Sequence, residues 1–196
     1  MEAGRGHIFV LVGPGGSGKT TLIRALIERR PYVRFIPTAT TRRPRPGEVS
    51  GHDYFFLTDA EFDRMIGDGA LMEWQTIHGH RYGTIRSEFQ GVIDRGEVGI
   101  TSLDYKGAFV AKRTFADDLT TVFVRAGSAD DLEDRLAKRP GATSEEIAAR
   151  LERAEEEYRY AEACDAEVVN RAGALDEAVA RLDEIVARHG VPAAEA

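Results

Sequence analysis

The sequence predicts an α/β chain with a parallel sheet flanked by helices, and two observations carry that prediction. Residues 8–12 are a continuous apolar run, rich in branched side chains and followed by glycine, the composition of a strand buried on both faces. Residues 97–103, 120–124 and 166–169 repeat this character, and the stretches between them are long enough for crossover helices.

Taken in order, the first strand runs into a glycine-rich turn, after which Leu22, Ile23, Leu26 and Ile27 recur at helical spacing until Pro31 stops the helix. Residues 38–74 break the alternation. Arginine, proline and short aromatic runs such as Tyr54-Phe55-Phe56 predict an insertion with a small sheet of its own, drawn at about residues 38–84. Thr58 stands three residues before Glu61, and Thr143 three before Glu146. This is the spacing of a capping box, so helices are expected to start at Asp59 and Ser144. The second is expected to reach about Tyr160, with Ile147, Leu151, Ala154 and Tyr158 along one face. Residues 135–150 combine a helix end, Pro140-Gly141 and this new helix, which predicts a hinged flap inside a helical lid at about residues 135–160. A last helix carries Leu175, Val179, Leu182 and Val186 before Gly190 and Pro192 end it. Residues 1–37, 85–134 and 161–190 are left as the core of a single domain.

Charge narrows the partners. A net charge of −7 argues against nonspecific binding to nucleic acid or to an anionic membrane, since both need a positive field. The apolar run at 7–12 is too short for a signal peptide or a membrane span, and the only cysteine, Cys164, has no internal disulfide partner. A reducing cytoplasm is the expected address. The five histidines form no evident metal-ligand cluster.

Gly13-Pro14-Gly15-Gly16-Ser17-Gly18-Lys19-Thr20 fits G-x-x-x-x-G-K-[ST] after a buried strand and at a helix start, the context a phosphate-binding loop of the P-loop NTPase type requires. Glycines let successive backbone N–H groups turn toward phosphate oxygens, and the helix N-terminus favours the anion. Lys19 is expected to bridge the β and γ phosphates of ATP, with Thr20 on Mg²⁺ and Thr21 beside it. The loop by itself does not name the acceptor.

Within this acidic chain Arg42, Arg43 and Arg45 crowd into four positions. Planar guanidinium groups suit bidentate capture of a phosphate, although the cluster alone also fits a solvated basic loop. The segment resembles guanylate kinase. The family's T-T-R-x-P-R-x-G-E is matched from Thr40 to Glu48, its G-x-D-Y-x-F from Gly51 to Phe56, and its E-W and Y-G-T by Glu73-Trp74 and Tyr82-Gly83-Thr84. Further matches are R-L-x-x-R from Arg135 to Arg139, R-L-x-x-A from Arg150 to Ala154, and V-N at Val169-Asn170, so that the likeness covers about residues 7–186.

The resemblance implies a nucleoside-monophosphate kinase in which an insertion binds the monophosphate and a helical lid closes over it. It implies that Arg42, Arg45, Tyr54 and Tyr82 hold the acceptor phosphate, with Arg42 also catalytic. Glu73 and Thr84 would read the guanine edge, Thr38 would keep a hydroxyl where the family has serine, and Asn170 would lie on the ATP side. Arg135, Arg139 and Arg150 match lid positions that neutralise charge on the transferring phosphates. Helix arginines paired with Glu145, Glu152 or Glu155 are the structural alternative. No protein base is needed, since the acceptor oxygen is already anionic.

Departures from the family pattern cluster near the base. Where the family has D-I-D-x-Q-G or E-I-D-x-Q-G, this chain reads Ser102-Leu103-Asp104-Tyr105-Lys106-Gly107. Asp104 keeps a carboxylate that can orient Mg²⁺ or its waters. Ser102 replaces an acid that helps hold guanine in the family, Lys106 adds a cation, Ala39 replaces a serine, and Arg81 a tyrosine. The expected reaction is transfer of the γ-phosphate of Mg·ATP to GMP or dGMP. The alternatives are a paralogue acting on a modified purine monophosphate or a ribose bisphosphate, and a noncatalytic interaction module.

Overall fold

The computed structural model describes residues 5–77, 79–138 and 143–189. The chain begins with β1 (His7–Val12), all six residues of which are buried, and turns through glycines into α1 (Lys19–Arg29). That helix buries Leu22, Ile23 and Leu26, and its cap residue Arg30 leaves helical geometry immediately before Pro31, whose ring disfavours a helical residue ahead of it. The short strand β2 (Val33–Phe35) follows.

A second sheet then interrupts the first. It comprises β3 (Thr38–Thr40) and β4 (Tyr54–Phe56), then, beyond α2 (Asp59–Gly67), β5 (Leu71–Ile77) and β6 (His80–Ile85). Its order is β4-β3-β6-β5, with β3 and β4 parallel and the other pairs antiparallel. The full capping box forms at Thr58, whose hydroxyl accepts from Glu61 N while the Glu61 carboxylate accepts from Thr58 N. Phe62 then fills a small separate core with Ala39 and Ile85.

The chain returns to the first sheet through α3 (Arg86–Asp94), β7 (Val98–Ser102), α4 (Tyr105–Phe115) and β8 (Leu119–Ala126). It continues through α5 (Ala129–Ala137), α6 (Ser144–Tyr158), β9 (Ala166–Asn170) and α7 (Leu175–Ala187). The five strands lie in the order β2-β7-β1-β8-β9, and every pairing is parallel. Side chains alternate across β1. Phe9 and Leu11 enter the core shared with α1 and α7, whereas Ile8, Val10 and Val12 enter the one shared with α3 and α4.

Two sequence expectations are revised. At Thr143 only half of the capping box is made, the hydroxyl accepting from Glu146 N. α6 ends at Tyr158 rather than Tyr160, where the chain tightens into a 3-10 turn before β9. Pro140, Gly141, Gly190 and Pro192 lie outside the described residues.

Candidate active site

The glycine loop sits at the C-terminal end of β1, where an open parallel sheet leaves a crevice. Close approach explains two of its glycines. A Cβ on Gly13 would stand 2.3 Å from Val124 O, and one on Gly18 2.2 Å from Asn170 Nδ2, both at positive φ. Asn170 Nδ2 donates to Ser17 O at 2.8 Å, and the Arg135 guanidinium donates to Ser17 O and Asn170 O at 3.2 and 2.8 Å. α5 and β9 therefore brace the loop from one side. Lys19 Nζ folds back to donate to the carbonyls of Gly13 and, at 3.1 Å, Pro14. A cavity of about 530 Å³ opens here, walled by Gly15, Gly16, Gly18 and Lys19 of the loop, by Thr20 and Thr21, and by Arg135 and Asn170. Pro14 and Ser17 are buried behind this wall.

A larger cavity of about 740 Å³ lies between the two sheets. The small sheet contributes Thr38 from β3, Tyr54 from β4, Glu73 from β5, and Tyr82 and Thr84 from β6, while the loop after β3 contributes Arg42 and Arg45. β7 ends on its wall with Ser102 and, two residues on, Asp104; α6 brings Arg150. Gly13, Gly15 and Lys19 close it on the loop side, and Gly15 and Lys19 wall both cavities.

Polar groups in the larger cavity are held by specific partners. Arg42 makes a two-pronged pair with Glu48, Nη1 to Oε2 at 2.9 Å and Nη2 to Oε1 at 3.0 Å, and its guanidinium lies 5.3 Å from the Tyr54 ring centre. The hydrogen bond from Arg42 holds the Glu48 carboxyl below its ordinary range. Thr84, fully buried, donates its hydroxyl to Glu73 Oε1 at 2.5 Å. Burial pushes the Glu73 carboxyl up, against that hydrogen bond, and the Asp104 charge pushes the same way as burial. A Cβ on Gly107 would meet Glu73 Oε1 at 2.9 Å, so a glycine lets the start of α4 lie against this carboxylate. Asp104 caps α4, Oδ1 accepting from Gly107 N at 2.9 Å. Among the described residues, its Oδ2 and Ser17 Oγ are the buried side-chain polar atoms without a hydrogen-bond partner.

Apart from Pro14, Ser17 and Arg139, every residue singled out for a site lines one of the two cavities. Arg139 falls outside the described residues. Arg135 and Arg150 are not paired with Glu145, Glu152 or Glu155. Lys106, expected to add a cation near the base, instead sits over the Tyr105 ring at 5.8 Å and lines neither cavity. Arg81 is tied to α2, donating to Asp59 Oδ1 at 2.7 Å and to Asp63, above the Phe62 ring. Sequence reasoning missed Gln75 of β5 and His80 of β6, which line the larger cavity, and Arg153 and Glu157 on its α6 wall. The last two had a signal, since they continue the helical stripe of Arg150 at i+3 and i+7.

Comparison with known proteins gives a concordant result. Residues 5–189 match the family described as guanylate kinase. The guanylate kinase of Bradyrhizobium diazoefficiens is 40% identical over 93% of this chain and 82% of its own. That of Mycolicibacterium paratuberculosis is 42% identical over 92% of this chain and 80% of its own. The crystal structure of guanylate kinase from Anaplasma phagocytophilum superposes with a TM-score of 0.77 at 26% identity, covering 96% of this chain and 88% of that one.

Proposed function

The chain belongs to the guanylate kinase family, and from that premise we propose which of its residues carry out the transfer of the γ-phosphate of ATP to GMP. The observation that carries the assignment is the shared wall: Lys19 and Gly15 border both cavities, so a phosphoryl group at that wall faces donor and acceptor at once. The smaller cavity takes ATP. Its polyphosphate lies on the loop of Gly13, Pro14, Gly15, Gly16, Ser17 and Gly18, with Lys19 leaving the carbonyls of Gly13 and Pro14 for the β and γ phosphates. Thr20, Thr21 and Asn170 complete this side.

The larger cavity takes GMP. Arg42, Arg45, Tyr54 and Tyr82 surround its phosphate with two cations and two phenolic hydroxyls, the donor set a dianion needs. Glu73, fixed by Thr84, accepts from the N1–H and 2-amino group, donors that adenine lacks on that edge. Thr38 and Ser102 complete the base side. The acceptor oxygen is already anionic, so the work of the protein is positioning and charge neutralisation. Arg135 and Arg150 supply the latter from the lid of residues 135–160, and Arg139 is proposed to join them.

The residues fit Mg²⁺. Thr20 and Asp104 offer hard oxygen donors, and Asp104 Oδ2 is a buried carboxylate oxygen with no protein partner among the described residues. Bound there, the ion would neutralise phosphate charge. No helix among the described residues is long and apolar enough to cross a membrane. A single cysteine, with no internal disulfide partner, supports a cytoplasmic setting.

Turnover of ATP with a panel of nucleoside monophosphates tests the base assignment. GMP is expected to be the best acceptor, and AMP turned over equally well would remove Glu73 and Thr84 from the base-reading role. Ser102→Asp is expected to tighten GMP, and unchanged affinity would show that this position does not face the base.

A further inference from the structure

α6 brings one more charged pair to the larger cavity. Arg153 Nε donates to Glu157 Oε1 at 3.2 Å, and both side chains line the cavity beside Arg150. Glu157 is only 9% exposed, an unusual depth for a glutamate on a helix of this polarity. Arg153 cannot by itself account for that, since its side chain is 44% exposed and an i,i+4 pair open to water is weak. A buried carboxylate needs more compensation than this.

The second cation is Lys19, which lines the same cavity. Burial pushes the Glu157 carboxyl up; Lys19 and then Arg153 pull it back toward the ionised form, and Asp104 opposes them. The carboxylate thus faces a cavity that it shares with a cation of the phosphate loop and a cation of the lid, and feels both.

We propose that Glu157 is a positioning residue that stands in for phosphate: its carboxylate balances Lys19 when no nucleotide is bound, yields Lys19 to the polyphosphate, and reclaims it as the product leaves. This rests on Lys19 as the polyphosphate cation. The consequence is a carboxylate that weakens nucleotide binding while speeding turnover, because it competes for the ammonium that would otherwise retain ADP. A residue that only packed α6 against the sheet would do neither.

Calorimetric titration of ADP into the parent, Glu157→Gln and Glu157→Asp, together with steady-state kinetics, tests the proposal. Glu157→Gln keeps the size and the acceptor for Arg153 but removes the charge. It is expected to bind ADP about tenfold more tightly, the scale of one close charge, and to show a lower kcat. Glu157→Asp keeps the charge and is expected to stay within about twofold of the parent. In a Lys19→Met background Glu157→Gln is expected to change ADP affinity no further. Unchanged or weaker ADP binding by a folded Glu157→Gln overturns the proposal, as does equal tightening in the Lys19→Met background. If Lys19→Met itself leaves ADP affinity intact, the assignment of Lys19 fails instead.

Discussion

β1 and β5 are strands of similar length with opposite uses for their side chains. All six residues of β1 are buried, and the strand offers the site nothing but the backbone at its end. β5 is only partly buried along its length, leaves Trp74 47% exposed on one face and presents Glu73 and Gln75 to the larger cavity on the other. The same contrast holds for the sheets. The parallel sheet spends its faces on two cores and gives function to loops at its C-terminal edge; the mixed sheet has one small core and gives function to a face. A face that lines a cavity can change its residues without unfolding the platform. Handling of the donor phosphates is therefore expected to be tied to the parallel sheet, and most of the acceptor's contacts to the small one.

Substitutions on either side sharpen this contrast. The largest effect is expected from Lys19→Ala, which removes the cation shared by both cavities. It should lower kcat roughly a thousandfold, at the upper end of what one electrostatic donor supplies, with an unchanged melting temperature. A large loss of stability would show that the loop is part of the platform's core. Leu26→Ala acts on the platform itself: the side chain is fully buried between sheet and helices, and about 2–5 kcal/mol of unfolding free energy is expected to be lost by denaturant titration.

On the small sheet, Glu73→Gln is expected to lower kcat/KM for GMP by about ten- to a hundredfold, the range of one charged hydrogen bond, leaving the KM for ATP unchanged. A matching change in the KM for ATP would break the separation of the two sheets. The smallest effect is expected at a half-exposed clamp between α1 and α7 of the platform. Arg30 donates to both oxygens of Asp183 at 2.7 and 3.1 Å, and this hydrogen bonding holds the Asp183 carboxyl below its ordinary value. Asp183→Asn should lower the melting temperature at neutral pH by about 2 °C. The folded-state pKa is depressed, so the stabilisation is present above the unfolded value near ~3.9 and fades as pH falls through the folded one. The gap between parent and variant should close at acid pH.

Elements with their own punctuation were legible in the sequence. β1 and α1 were marked by an apolar run, a glycine turn and Pro31, and α2 by its complete capping box. The crossover helices were expected only as stretches of suitable length, and α3 shows why: Ile85 occupies its N-cap and makes no side-chain cap bond, so nothing announces its start. β2 and β3 have three residues each, too few for any period to register. In the site, the phosphate loop and the Arg42 to Tyr54 segment were readable as strings. Arg153 and Glu157 were not singled out, although they share a stripe with Arg150, because only the packing of α6 over the loop turns that stripe toward Lys19.

The sequence by itself determined what depends on neighbours along the chain: a loop whose glycines, lysine and threonine must be contiguous to wrap a phosphate, the buried strand before it, and the helix it starts. The tertiary structure decided what depends on neighbours across space. It set Thr84 and Gly107 against Glu73, and it spread Arg135 between Ser17 and Asn170. It also tied Arg81 to carboxylates of α2 away from the cavities. Burial and Coulomb interactions depend on distance through the folded protein, and separation along the chain does not measure that distance.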